Sequence, residues 1–287
     1  MAEATADWDP RLTPAREDLA AETLRGRITA PRYADAQAHV IVRGRAGLHR
    51  RPDASTPFDT VLLFGETFSV YDRSEGWAWG QSDLDGYVGY VPAGALAQAP
   101  TEGPDHTVRA MACQAYREPV LKQPPAGVLP FGARLRIVGD REGYSRAAQG
   151  FWVPSPLLRP LDKPEADWVR VAERFQCVPY VWGGRSSSGI DCSGLVQLAL
   201  QAAGHDCPRD SDMQEAALGR TLAIGDELRR GDLIFWKGHV GIMADGGTLL
   251  HANAHHMATA LEPLEEAIAR ISASGGGEIT RRARLSD

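Results

Sequence analysis

A nine-residue stretch of this chain occurs twice. Leu62 to Val70 (LLFGETFSV) is matched 67 positions later by Leu129 to Ile137 (LPFGARLRI). Each copy is followed by an acidic residue, a glycine and an aromatic (Glu75, Gly76, Trp77; then Glu142, Gly143, Tyr144). Each closes on an aromatic-Val-Pro step, at Tyr90, Val91, Pro92 and at Trp152, Val153, Pro154, the second copy being five residues shorter between these landmarks. A repeat of this kind means that one supersecondary unit is built twice. Short β-branched and aromatic runs broken by Gly, Pro and Asp read as strands, so the repeat predicts two small all-β barrels, over residues 34–99 and 104–160.

The flanking segments read differently. Residues 1–33 form an extension, in which Thr13, Pro14 at a first helical position and a closing Gly26 predict one short helix lying on a later domain. The Pro- and charge-rich stretch from Leu158 to Glu165 reads as a linker. Beyond it the pattern turns α and then β. A helix is expected over Asp167 to Phe175, a second through Leu195 to Leu200 ending at Gly204, and strands over 232–236, 239–243 and 248–252. Residues 163–287 are therefore expected to form an α+β domain.

That domain holds the residues that carry chemistry. With Asp191 as N-cap, Cys192 falls in the first turn of a helix, where unpaired amides and the helix dipole favour a thiolate. A thiol nucleophile needs a base, and His239 stands at the mouth of an apolar strand, with His251 twelve residues on. Asp245, Gly246 and Gly247 suit a three-residue hairpin loop whose last glycine is left-handed. That odd length pairs residue 244 with 248 and 241 with 251, and puts both histidines on one sheet face as diagonal neighbours roughly 7–8 Å apart at the backbone. A two-residue loop would place them on opposite faces and remove the triad.

Together with Pro179, Tyr180, Trp182, Gly183 and Gly184, these motifs (DCSGLV at 191–196, HVGI at 239–242, LHA at 250–252) resemble the NlpC family of cell-wall cysteine peptidases, over residues 163–287. The two repeats resemble bacterial SH3-like domains, most clearly in GYVGYV at 86–91. The resemblance implies a multidomain chain of two small all-β SH3-like barrels followed by an α+β papain-like cysteine peptidase domain. It implies Cys192 as nucleophile, His239 as general base and then acid, and His251 as the group orienting the His239 ring. Tyr180 would line the site near the oxyanion, and Trp182 would line the substrate site.

A carboxylate beside the nucleophile opposes thiolate formation. Relatives with SH3-like domains use the matching Asp and Ser, with a barrel tyrosine, to hold a free N-terminal ammonium. That assigns Asp191 and Ser193 to the substrate amine, with Tyr87 as the barrel tyrosine, Tyr90 as its rival and Glu66 as a possible helper. Arg209, Ser211 and Gln214 read as a solvated loop, and Cys113, Cys177 and Cys207 as small buried residues.

The implied reaction is hydrolysis of the γ-D-glutamyl bond to a diamino acid in murein peptides with a free N-terminal L-Ala, without cofactor or metal. Amidase or acyl-transfer work on another γ-glutamyl or acyl substrate, and a non-catalytic peptidoglycan-binding role, are the rivals. A net charge of −6 with scattered basic residues argues against nucleic acid or anionic membrane as partner. The N-terminus has no basic start followed by an apolar stretch, which reads as a cytoplasmic chain working in peptide recycling.

Overall fold

A computed structural model describes residues 8–223 and 225–285. The first β unit is a seven-stranded sheet in the order 96–98, 37–41, 67–74, 77–82, 88–92, 45–49, 58–63, closed around Ile41, Leu48, Leu62, Phe68, Val70 and Val91. The second has its own core of Val108, Cys113, Leu129, Leu135, Ala147 and Val153. It repeats the order of elements of the first. Glu75 and Gly76 (φ 49° and 82°), like Glu142 and Gly143 (φ 52° and 80°), both enter the left-handed region, as a two-residue turn matching strand twist requires. In each copy the aromatic-Val-Pro strand runs into a 3₁₀ turn, Ala93–Ala95 and Ser155–Leu157, and then a short strand. Leu158–Pro160 is that strand, paired with His106–Val108, so the first residues of the expected linker belong to the second unit.

The expected helix near the N-terminus does not form. Ala15–Arg16 pairs antiparallel with Leu19–Ala21, which pairs in parallel with Arg32–Ala34, and only a 3₁₀ turn follows at Glu22–Leu24. Leu19, Ala20 and Ala21 are all buried in succession, a pattern that no single helical face satisfies. Packing therefore overrides the helical preference of the alanines. The segment lies on the first β unit, with the Arg16 guanidinium 4.7 Å from the Trp79 ring and paired with Asp72.

Among the described residues the third unit carries four helices, α1 (Trp168–Glu173), α2 (Cys192–Ala202), α3 (Ser211–Ala217) and α4 (Leu264–Ala273), around a six-stranded sheet. Its strand order is 220–221, 281–284, 232–236, 239–243, 248–253, 258–263. Every residue of α2 except Gln201 is buried, which marks a helix at the centre of a core rather than on its surface. Leu195, Val196, Leu198 and Leu200 join Phe175, Leu233, Phe235, Val240, Ile242 and Leu250 there, each large side chain contributing about 1.5–3 kcal/mol. A second cluster on the other side of the sheet joins Ile234, Trp236, Met243 and Leu249 to α4. Among the described residues no helix is long and apolar enough to cross a membrane.

The first β unit is locked to the peptide segment before α2. Arg185 and Glu66, both almost wholly buried, form an ion pair at 2.9 Å. Arg185 also donates to the Gln201 side chain and the Val61 carbonyl, and Glu66 receives the Leu63 amide. Both Glu66 oxygens are thus engaged within the interface. Gly183 (φ 70°) closes the same interface, since a side chain there would stand 2.4 Å from the Phe58 carbonyl oxygen. Removing one partner of a buried pair leaves an uncompensated charge, at a cost of about 3–5 kcal/mol. Glu66→Ala is therefore expected to lower stability by that amount, read as a fall in the urea midpoint, with Glu66→Gln losing less.

Candidate functional site

Asp191 is the N-cap of α2, accepting the Gly194 amide at 2.7 Å, and this places Cys192 in the first turn. The N–H groups of Val240 and Ser193 bond to the thiol. His239 is next in chain to Val240, so the strand that caps the sulfur also carries the imidazole. Burial, and then the Asp191 charge, push the Cys192 thiol up to about 12 against these amides and Arg209. In the unliganded protein the cysteine is a thiol.

The hairpin behind it has the register that a three-residue loop dictates. Ile242 faces Leu250, Met243 faces Leu249, and the Ala244 amide donates to Thr248. Gly247 is not among the glycines with positive φ, contrary to the expected left-handed residue. The Asp245 carboxylate shapes the loop instead, accepting the amides of Gly247 at 2.8 Å and Thr248 at 2.7 Å. With that register, His239 Nε2 and His251 Nδ1 lie 2.8 Å apart, and His251 Nε2 lies 2.6 Å from Glu262 Oε1. Arg270 of α4 binds the same carboxylate.

Glu262 escaped the sequence reading. It lies on the strand Ala258–Pro263, whose register sets Ala260 opposite His251 and Glu262 opposite Leu249, so Glu262 shares the face of His251. Burial works to raise its carboxyl, but the bonds from His251 and Arg270 prevail and hold it at about 2. Burial, with His251 and Arg270 nearby, brings His239 down to about 3, and burial lowers His251 against the pull of Glu262. The donor atoms of His251, His256 and Glu262 lie within 4.8 Å of one another. They could converge on a cation, but two of them already bind each other and Arg270 shares the carboxylate.

The cleft before Cys192 has a volume of about 210 Å³ and runs between the first β unit and the third. Tyr87, Tyr180, Trp182, Asp191 and Ser193 line it with Cys192, as do Asp59, Asp210 and Asp212. Trp182 stands on the rim, 68% exposed. Tyr180 is half-buried, its hydroxyl pushed up to about 12 by burial and then by Cys192 and Asp191. Tyr87 donates to Asp210 at 2.8 Å, and burial and that carboxylate keep it protonated. Tyr90 faces a different cavity with Trp79 and Arg16. Glu66 is likewise absent from the cleft lining, and the barrel carboxylate that reaches it is Asp59.

Arg209, Ser211 and Gln214 are buried rather than solvated. Arg209 grips Asp191 with both terminal nitrogens, at 3.0 and 2.7 Å, and donates to Ser193 Oγ at 2.8 Å. Its Nε donates to Thr60 of the first β unit at 2.7 Å. The carboxylate beside Cys192 is thus paired with a buried guanidinium. A bare arginine in a polar run carries no sequence signal for this, because its partners are 16, 18 and 149 positions away. Cys113 and Cys207 are buried as expected, whereas Cys177 is exposed in a turn with φ 64°.

A cysteine at the start of a core helix, capped by a strand whose histidine leads to a second histidine and a glutamate, defines a thiol hydrolase built beside a β barrel. Residues 177–270 match the NlpC/P60 family, and residues 48–96 match the bacterial dipeptidyl-peptidase Sh3 domain. Dipeptidyl-peptidase 6 of Lysinibacillus sphaericus is 34% identical over 240 residues, 75% of this chain and 87% of that protein. A gamma-D-glutamyl-L-lysine dipeptidyl-peptidase of Bacillus subtilis is 28% identical over 216 residues, 67% of this chain and 71% of the relative. The crystal structure of an NlpC/P60 family protein from Bacillus cereus has the same fold, with a TM-score of 0.73 at 21% identity over 86% of this chain and 99% of that one. The chain belongs to the NlpC/P60 family and is a cysteine peptidase.

The histidine pKa values set a pH dependence. Both histidines are neutral when folded, so below about 6.5 the unfolded chain takes up protons that the folded chain refuses. Stability is then fully present above 6.5 and falls as pH drops towards 3. Urea midpoints against pH are expected to show this slope in the wild type and a shallower one in His239→Gln.

Proposed function

We propose that this peptidase hydrolyses the γ-D-glutamyl bond to a diamino acid in short murein peptides, and that it requires a free N-terminal L-Ala. The observation that carries the reading is the acidic lining of the cleft, to which Asp59, Asp210, Asp212 and Tyr87 contribute together with Asp191 and Ser193. An ammonium there is drawn in by charge and can be hydrogen-bonded from both walls. Asp59, which lines the cleft, pairs with Arg50, whose side chain is 74% exposed, so it is the barrel carboxylate we assign to the ammonium. Asp191 Oδ2 receives Arg209 and retains a second lone pair. The names of the relatives, gamma-D-glutamyl-L-lysine dipeptidyl-peptidase among them, support the same bond.

In this reading Cys192 transfers its proton to the neutral His239 as the sulfur attacks the γ-carbonyl. His251 fixes the ring, leaving Nδ1 to work on the thiol, and Glu262 fixes His251. The tetrahedral intermediate forms beside the Tyr180 hydroxyl, and His239 returns the proton to the departing amine. Water, deprotonated by His239, then releases the acyl group from sulfur. Trp182 packs on the substrate at the rim.

The same proposal divides the chain into an extension over 1–33, SH3-like barrels over 34–99 and 104–160, and the peptidase over 163–287, with the second barrel away from the cleft. A cleft that ends on an amine site suits released peptides, and we place the enzyme in cytoplasmic recycling of wall peptides.

Cys192→Ala is expected to abolish cleavage of L-Ala-γ-D-Glu-diaminopimelate by mass spectrometry, and N-acetylation of the peptide to block the wild type. Retained turnover by the variant rejects the mechanism, and equal cleavage of the acetylated peptide rejects the amine requirement. Glu262→Gln, a change in a positioning residue, is expected to lower kcat by about 10–100-fold with little change in KM.

A further inference from the structure

Arg11 of the N-terminal segment binds two of the carboxylates that line the cleft, Asp210 and Asp212. Arg11 is fixed to the first β unit through its own carbonyl, which accepts the Val88 amide at 2.7 Å, and through the Leu12 carbonyl, which accepts Gln81 Nε2 at 2.9 Å. Its guanidinium then crosses to the peptidase unit. It donates to Asp210 Oδ2 at 2.8 Å and to both oxygens of Asp212 at 2.8 and 2.9 Å, with Asp9 closing the fourth side at 2.7 Å. The Asp210 oxygen that receives Arg11 is the one that receives the Tyr87 hydroxyl. Asp212, Arg11, Asp210 and Tyr87 therefore form one hydrogen-bonded chain from the first turn of α3 to the barrel.

That chain stands at a boundary between two spaces. On one side is the cleft before Cys192. On the other is a cavity of about 600 Å³ lined by Trp8, Asp9, Pro10, Arg11 and Val88, and Arg50, Asp59 and Tyr87 border both. A peptide with residues preceding its L-Ala would have to pass from the first space into the second.

We propose that Arg11 is a specificity-determining residue, holding Asp210 and Tyr87 as a stop at the amine end that rejects peptides extended or blocked at the N-terminus. The proposal rests on the amine-end orientation given above. The mechanism is positional. Without Arg11, Asp210 loses its guanidinium partner and keeps the Tyr87 hydroxyl, and the carboxylates of Asp210 and Asp212, two residues apart, then repel each other. The wall loosens and the two spaces merge. Arg11 also offsets part of the charge of three aspartates, Asp9, Asp210 and Asp212.

The test compares kcat/KM for L-Ala-γ-D-Glu-diaminopimelate with that for the same peptide carrying one extra N-terminal glycine. In Arg11→Ala the ratio of extended to free peptide is expected to rise by about tenfold or more, the scale of one charge-assisted hydrogen bond. Arg11→Lys, which keeps the charge but cannot fork to two carboxylates, is expected to rise less. Asp212→Asn weakens the anchor that holds the Arg11 guanidinium beside Asp210 and is expected to shift the ratio in the same direction, which keeps the test open if Arg11→Ala is poorly folded. An unchanged ratio in folded Arg11→Ala or, failing that, in Asp212→Asn overturns the proposal while leaving the amine requirement intact. Wild-type enzyme that cleaves both peptides equally overturns both.

Discussion

The bidentate pairing of Arg209 with Asp191 is the interaction on which the site depends. Asp191 caps the helix that presents Cys192, and an acid in that place raises the thiol. Arg209 offsets that field from within the core, and through Thr60 and Ser193 it fixes the cap to the barrel on one side and to the cleft wall on the other. A buried arginine is tolerated because its donors are used: Nε on Thr60, Nη1 on Asp191 and Ser193, Nη2 on Asp191 and Gly184. One side chain thus sets helix start, charge balance and domain contact together.

Much of this architecture was legible in the chain. The repeat encoded two β units because its acidic-Gly turns and aromatic-Val-Pro steps are local chemistry, read within a few residues. The register of the histidine hairpin followed from loop length, since side chains alternate with period two. What local chemistry does not encode is which charged residue meets which. Glu66 and Asp59 are both acids of the first β unit, and only the fold sends Asp59 to the cleft and Glu66 to Arg185. Glu262 was hidden for the same reason, its strand being assigned only when paired. The N-terminal helix failed because alanines specify a helix weakly when three successive residues are buried.

The His239, His251, Glu262 and Arg270 series shows how a buried pair of imidazoles is kept in working order. Burial alone would leave both rings free to choose tautomers. A glutamate held near 2 at the far end, itself anchored by Arg270, requires the proton on His251 Nε2. This makes His251 Nδ1 an acceptor and so places a proton on His239 Nε2. Tautomer choice at His239 is thereby made through Glu262, by Arg270 of α4.

Gly183 has a wider consequence. With the Phe58 carbonyl where its side chain would be, this loop and the barrel strand are moulded to one another with no clearance, and Glu66 and Arg185 seal the same seam. A chain that reads as beads on a string therefore behaves as a single casting. Grafting another barrel onto this peptidase, or this peptidase onto another binding module, would require recutting both sides of the joint. Changing side chains along the cleft leaves that joint untouched.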